Sequence, residues 1–177
     1  MARKLTGAVL GGALMVAPHL AAAHVTLETQ KAFADSSYKA VLRVPHGCDG
    51  KPTTAIRVRM PEGLIAVKPM PKPGWQLAVV KGKYQHPYDY EGTKLTEGVE
   101  EIDWSGGKLP DAFYDEFVFV GHLTDLAPGT VLSFPTVQEC EGAVERWIEI
   151  PAKGQDPDEL ETPAPQLTVV EGKGSDD

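Results

Sequence analysis

Residues 38–44 read Tyr-Lys-Ala-Val-Leu-Arg-Val and give the clearest indication of the fold. Every second residue from Tyr38 to Val44 is Tyr, Ala, Leu or Val, and Lys39 and Arg43 fall between them. This period of two is that of a β-strand with one buried face. Similar runs follow, separated by Pro- and Gly-containing segments. The other predicted strands lie at 56–60, 75–80, 99–104, 117–123, 131–137 and 144–150.

About seven short strands at this spacing predict an all-β fold, a single antiparallel β-sandwich of immunoglobulin-like or cupredoxin-like type. No long stretch shows helical periodicity. Residues 83–96, rich in Tyr, are interpreted as a long loop between strands, and residues 166–170 as one more edge strand.

The first 23 residues have the pattern of a secretory signal peptide. Arg3 and Lys4 precede an apolar run over 5–17, and the segment ends in three alanines at 21–23. The run is too short to span a bilayer. We therefore expect cleavage after Ala23, a periplasmic or secreted protein, a domain over 24–170 and a disordered acidic tail over 171–177. The sequence contains no second apolar segment, so no membrane insertion is expected after cleavage.

Cleavage after Ala23 makes His24 the first residue of the mature protein. Its α-amine and its imidazole then offer two nitrogens to one metal ion, and an α-amine with a pKa of roughly 7.7–8.0 loses its proton readily to a competing metal. The alternative is that processing leaves a histidine at this position with no role.

The charge of the chain favours cations as partners. The formal net charge is −8, and removal of Arg3 and Lys4 with the signal peptide takes it to −10. An acidic exported protein is a poor candidate for nucleic-acid or anionic-membrane binding. The sequence contains neither G-x-S-x-G nor a Gly-rich phosphate loop, which argues against a hydrolase.

The two cysteines, Cys48 and Cys140, both lie in the mature part. In an oxidising compartment such a pair is expected to form a disulfide. Closing a loop of about 90 residues would contribute on the order of 4 kcal/mol in the chain-entropy model. The disulfide would hold His46 and Asp49 in place, which makes His46 a candidate metal ligand. The alternative is that the two thiols are themselves soft metal ligands.

Trp147 is the other residue that the pattern singles out. Three aliphatic residues share one parity of the strand predicted at 144–150, whereas Trp147 falls on the other, between Glu145 and Glu149. The alternation predicts that the indole points away from the main apolar face. An indole there would shield a metal, contact a cation through its π face, or pack under a loop.

The ligand types favour Cu(II). Nitrogen from an N-terminal histidine, with oxygen or a second imidazole, suits a tetragonal Cu(II) site, whereas Zn(II) normally shows three or four ligands at recognisable spacings. Soft ligands for Cu(I) are sparse if the cysteines are paired. His86 lies in the Tyr-rich segment and His122 on a strand, and both are weaker candidates.

With these residues in view, the chain resembles the YcnI-like family of bacterial copper-binding proteins, exported β-sandwich proteins often encoded beside copper transport genes. The resemblance covers nearly all of residues 24–150. The matching segments are Ala-His-Val-Thr at 23–26, Val-Pro-His-Gly-Cys at 44–48, Thr-Thr at 53–54 leading into 56–61, Pro-Gly-Trp at 73–75, Leu-Pro at 109–110, Phe-Val-Phe at 117–119, Gln138 and Trp147.

The resemblance implies a Cu(II) site made by the amine and side chain of the N-terminal histidine, a carboxylate and a nearby tryptophan. His24 and Trp147 match the histidine and the tryptophan. Where relatives carry the acidic ligand, this chain has His46, Gly47, Cys48 and Asp49. We take His46 as the second ligand and Asp49 as its alternative; a glutamate at 145 or 149 is a further one.

The sequence thus predicts an exported Cu(II) chaperone or sensor-like binding protein and not an enzyme. Its partners would be the copper ion and a membrane copper transporter or another copper protein. Two alternatives stay open. One is a copper-dependent oxidative enzyme with a histidine-brace-like site, and the other is a metal-free immunoglobulin-like interaction module.

Overall fold

The computed structural model describes residues 24–172, which form twelve β-strands and one short 3-10 helix. The predicted signal peptide and residues 173–177 lie outside the described residues. Within 24–172 no helix is long and apolar enough to cross a membrane. The strands are β1 Thr26–Leu27, β2 Lys31–Phe33, β3 Ser37–Val44, β4 Thr53–Arg59, β5 Leu64–Pro69, β6 Gln76–Tyr90, β7 Thr93–Leu109, β8 Asp115–Leu123, β9 Val131–Ser133, β10 Thr136–Cys140, β11 Ala143–Trp147 and β12 Gln166–Val170, and the 3-10 helix spans Pro157–Glu159.

Two main sheets confirm the predicted all-β sandwich. One has the strand order β1-β3-β8-β5 and the other β11-β10-β4-β7-β6, and every pairing within them is antiparallel. The alternating residues of β3 behave as expected: Tyr38, Ala40, Leu42 and Val44 are all buried in the core between the sheets. Burial of such apolar side chains is the main favourable term in folding.

A third sheet of three strands has the order β2-β12-β9. The strand predicted at 166–170 is present, but the prediction that it lies at an edge was wrong. β12 is central, parallel to β2 and antiparallel to β9. Its partner β2 has only three residues, too few to show a periodicity from which the pairing could be predicted.

The largest error concerns residues 83–96, which were predicted to be a loop. They form the distal half of a long hairpin of β6 and β7, closed at Glu91 and Gly92, which both have positive φ (48° and 76°). Positive φ at both central residues is the signature of the tight two-residue turn that fits the twist of paired strands. After Lys83, four residues of β6 form a bulge. The bulge breaks the alternation, so the sequence pattern does not indicate a strand here.

Other strands also differ from the prediction. The run at 131–137 is divided at Pro135 into β9 and β10, which belong to different sheets. β5 was not predicted; its alternation is broken at Ala66, which has φ of 50° at a register shift. The strand predicted at 144–150 ends at Trp147.

Candidate metal centre

The pairing of β1 with β3 brings His24 to one end of the sandwich. Thr26 lies opposite Arg43 and Leu27 opposite Leu42. The pairing thus ends two residues after His24, and Arg43, the partner of Thr26, lies three residues before His46. Val25 is buried and anchors the segment, while His24 itself is half-buried. The predicted first residue of the mature protein is therefore held against the domain.

Trp147 lies beside His24. Their ring centroids are 5.6 Å apart and the rings are tilted by 54°. The two residues are 123 positions apart in sequence, so it is the fold that brings them together. This is the arrangement in which an indole can shield a metal held by the histidine.

The predicted orientation of Trp147 was wrong. Its side chain is only 5% exposed and belongs to the core cluster, whereas Val144 is 49% and Ile148 44% exposed. β11 is an edge strand that presents Val144 to the outside. The indole can be buried because its N–H has a partner: Trp147 Nε1 donates to Gln138 Oε1 at 3.0 Å.

The loop after β3 is fixed from three sides. Cys48 is bonded to Cys140, which confirms the predicted disulfide and leaves neither thiol as a metal ligand. Cys48 and Lys51 exchange two backbone hydrogen bonds, of 3.1 and 2.8 Å. The N–H of Gly47 donates to Asp111 Oδ1 at 3.1 Å. The loop is therefore a defined structure and not a free connection.

His46 and Asp49 differ within this loop. His46 is half-buried, and its Nδ1 is hydrogen-bonded to the carbonyl oxygen of Gly47. This contact engages Nδ1 and leaves Nε2 without a hydrogen-bond partner among residues 24–172. Asp49 is exposed at the tip of the turn, with φ of 48°. Among the described residues, neither side chain forms a hydrogen bond, an ion pair or a ring contact with His24.

Two glutamates are the further alternatives. Glu145 lies on the same face of β11 as Trp147, and Glu149 lies just beyond the end of this strand. Glu145 is half-buried, and Glu149 is exposed. Thr162 donates to Glu149 Oε2 from its backbone N–H at 2.6 Å and from its hydroxyl at 3.0 Å. These hydrogen bonds lower the pKa of Glu149. They tie this carboxylate to its own segment.

A groove that the sequence did not reveal opens at His24. It encloses about 360 Å³, and its lining includes His24, Lys31, Asp156 and Asp158. The two aspartates flank the start of the 3-10 helix, where Asp156 Oδ1 accepts from the N–H of Asp158. They lie in the acidic, Pro-rich stretch 154–165, in which no residue stood out as a candidate. Only the tertiary structure places them near the histidine.

The side chains do not form a complete cage. Among residues 24–172, no three His, Cys, Asp or Glu side chains are placed to hold one metal ion together. A centre here therefore depends on the amine of His24, which exists only if the chain is cleaved after Ala23.

His86 and His122 lie elsewhere. His86 Nε2 is 3.3 Å from Asp125 Oδ2, and its ring packs against Tyr88 at 4.3 Å. His122 packs against Tyr90 at 5.1 Å and lies near the far end of β8 from the centre. Both belong to the region that the tip of the β6–β7 hairpin covers.

Comparison with known proteins gives the family. The profile of a family described as a domain of unknown function (DUF1775) matches residues 24–169. The chain belongs to the DUF1775 family. Its DUF1775 domain thus begins at His24 and includes all twelve strands but for the last residue of β12.

The DUF1775 domain is also similar to a solved structure, that of an uncharacterized protein from Nocardia farcinica with an immunoglobulin-like fold. The identity is 25% and the TM-score 0.61, over 83% of this chain and 98% of the other. No curated protein matches the chain. The comparisons establish the immunoglobulin-like fold and the family, and they name no ligand.

Proposed function

We propose that this protein is an exported, YcnI-like Cu(II)-binding protein that acts as a copper chaperone. The observation that carries the proposal is the contact between His24 and Trp147, 5.6 Å between ring centroids, at the place where the DUF1775 domain begins. Cleavage after Ala23 would give His24 a free amine, and amine and imidazole together form a chelate. Nitrogen ligands of this kind favour Cu(II).

His46 is the second ligand in this proposal. Its Nε2 is free of intramolecular partners in the hydrogen-bond pattern of residues 24–172, and the β1–β3 register runs His24 toward its loop. Asp49 is the alternative from the same loop, and Asp156 or Asp158 can approach through the groove. A centre with few protein ligands leaves coordination positions open, which suits transfer of copper to another protein.

Transfer requires a partner, and the charge of the domain indicates its chemistry. The formal charge of −10 expected for the mature chain favours capture of a cation and docking on a basic patch of a membrane copper transporter or another copper protein. In this proposal the protein is periplasmic or secreted and catalyses no reaction.

The deciding experiment is a Cu(II) titration of protein that begins at His24, followed by electron paramagnetic resonance. We expect one equivalent of Cu(II) in a nitrogen-rich tetragonal site. Protein that retains Ala23 before His24, and the His24→Ala variant, should lose this signal. His86→Ala is the matched control, since it removes an exposed histidine elsewhere. An unchanged signal in the extended protein would refute the proposal.

One observation favours a second function, a copper-dependent oxidative enzyme with a histidine-brace-like site. Phe113 and Tyr114 are 61% and 48% exposed and lie two and three residues after Asp111, which holds Gly47 beside His46. Exposed aromatic side chains near a metal centre provide a surface on which a substrate ring can stack. Copper-dependent consumption of oxygen or peroxide with a reductant, lost in His24→Ala, would support this function, and its absence in copper-loaded protein would exclude it.

A further inference from the structure

Gln138 is a fully buried polar residue in the middle of β10, and its side-chain amide makes three hydrogen bonds. Its Nε2 donates to the carbonyl oxygen of His46 and to Thr53 Oγ1, each at 2.7 Å. Its Oε1 accepts the indole N–H of Trp147 at 3.0 Å. Both donors and one acceptor site are therefore used.

These bonds connect the two sides of the candidate centre. Trp147 lies on the edge strand β11 and contacts His24, whereas His46 lies in the loop after β3. β10 lies between β4 and β11, so Gln138 is held by strands on both sides. An edge strand and a loop are the parts of a sandwich that move most easily. The amide ties both to an inner strand.

We propose that Gln138 is a positioning residue of the Cu(II) centre, which fixes the indole of Trp147 and the backbone of His46 relative to each other. This inference rests on the proposed function. A neutral amide is suited to the task because one group must accept from an indole and donate to a carbonyl. In a buried, low-dielectric setting such a network holds one geometry, because each broken bond leaves an unsatisfied group.

A purely structural role for Gln138 makes a different prediction. In that case its loss would lower the stability of the domain and leave copper binding unchanged once the protein is folded. If Gln138 positions the centre, its loss must change Cu(II) affinity in folded protein. Partners that orient metal ligands typically change affinity by about 10–100-fold when they are removed.

The test compares Gln138→Met and Gln138→Glu with unsubstituted protein that begins at His24. Methionine has a similar length and breaks all three bonds. Glutamate keeps the acceptor for Trp147 but loses the donors to His46 and Thr53. Gln76→Met, at an exposed position on the opposite edge strand β6, is the matched control. For each protein we would measure Cu(II) affinity, the paramagnetic resonance spectrum and the Trp147 indole resonance, assigned by its loss in Trp147→Phe.

We expect at least about tenfold weaker Cu(II) binding and a broadened spectrum in Gln138→Met, a smaller loss in Gln138→Glu, and no change in Gln76→Met. A shifted indole resonance in Gln138→Met with unaltered affinity and spectrum would overturn the proposal. If Gln138→Met does not fold, Gln138→Glu decides, and unaltered Cu(II) affinity and an unaltered spectrum in that folded variant would overturn the proposal.

The unsubstituted, copper-free protein provides a check that needs no variant. The indole hydrogen of Trp147 should exchange slowly with solvent, and rapid exchange would overturn the inference. Failure of the proposed function looks different, because the unsubstituted protein itself would then bind no Cu(II) through His24.

Discussion

Trp147 combines a buried ring, a satisfied N–H and a contact with His24. Trp147→Phe keeps an aromatic ring in the core but leaves Gln138 Oε1 without its donor. We expect a loss of roughly 1–3 kcal/mol in the free energy of unfolding, measured in urea, because a buried acceptor is left unsatisfied. We also expect Cu(II)-dependent quenching of tryptophan fluorescence to disappear. The tryptophan beside His24 would be gone, and only Trp75 and Trp104 would remain. Full retention of quenching would show that the copper lies away from Trp147.

Tyr38 provides a test of the core by pH. Its hydroxyl donates to the carbonyl of Thr29 at 2.6 Å, and burial raises its pKa well above the usual value near 10. The unfolded chain therefore loses this proton first as pH rises. The contribution of Tyr38 to stability is complete below pH about 10 and declines above it.

We expect Tyr38→Phe to lower the free energy of unfolding at pH 7 by about 1 kcal/mol, because a hydrogen bond is lost. Between pH 9 and pH 11 its free energy of unfolding should fall less steeply than that of unsubstituted protein. Urea denaturation at each pH measures both effects. An equal slope in both proteins would show that other groups determine the alkaline behaviour.

Single residues were predictable where their chemistry does not depend on orientation. The Cys48–Cys140 pair follows from composition and compartment and is confirmed, whereas the role of His24, which follows from the cleavage pattern, stays a prediction. The direction of Trp147 could not be predicted, because β11 has apolar residues on both faces and nothing local says which face is covered. Asp156 and Asp158 could not be found at all, since only the tertiary structure places them in the groove at His24.

The turn at residues 47–51 contains two glycines whose roles the structure separates. A Cβ on Gly47 would lie 1.8 Å from the carbonyl oxygen of Lys51, whereas a Cβ on Gly50 would meet nothing within 4 Å. Gly50 has φ of 75°, so alanine there costs only backbone strain, about 1 kcal/mol.

We expect Gly47→Ala to open the turn, with a greater loss of unfolding free energy than Gly50→Ala and weaker Cu(II) binding through the displaced His46. Calorimetry and Cu(II) titration of the two variants measure both effects. Equal behaviour of the pair would contradict the close approach.

The disulfide is the second element that holds the loop. It joins residues separated by 92 positions, so its removal in the double variant Cys48→Ala/Cys140→Ala should lower the free energy of unfolding by on the order of 4 kcal/mol. Guanidinium unfolding of the variant and of oxidised, unsubstituted protein measures the change, and unsubstituted protein under reducing conditions should unfold like the variant. An unchanged midpoint would mean that the hydrogen bonds of Gly47 and Lys51 hold the loop without it.

Elements were predictable where the alternation is regular. β3 and β4 show apolar periodicity, β8 is apolar over 117–120, and all three lie inside the two main sheets. Prediction failed where the backbone departs from regularity, at the bulge after Lys83, at Ala66 and at Pro135. These irregularities depend on which strands pair, and pairing is decided by contacts between distant segments.

The whole molecule determines whether copper binding is more than a property of the first residue. An N-terminal histidine carries its amine and imidazole in the unfolded chain as well, so this chelate alone binds folded and unfolded protein equally. A ligand stabilises a protein only by its preference for the folded state. Stabilisation by Cu(II) therefore measures what the fold adds from residues distant in sequence.

We expect saturating Cu(II) to raise the melting temperature of protein that begins at His24 by about 3–6 °C. This corresponds to roughly tenfold tighter binding by the folded state, or about 1.4 kcal/mol. His46→Ala should still bind Cu(II) through His24 but lose the stabilisation, whereas Asp49→Ala should keep it. If Asp49→Ala loses the stabilisation and His46→Ala keeps it, the carboxylate is the second ligand. If neither variant changes it, the groove residues Asp156 and Asp158 become the ligands to test, because they are the other acidic side chains that the fold brings to His24 through that groove.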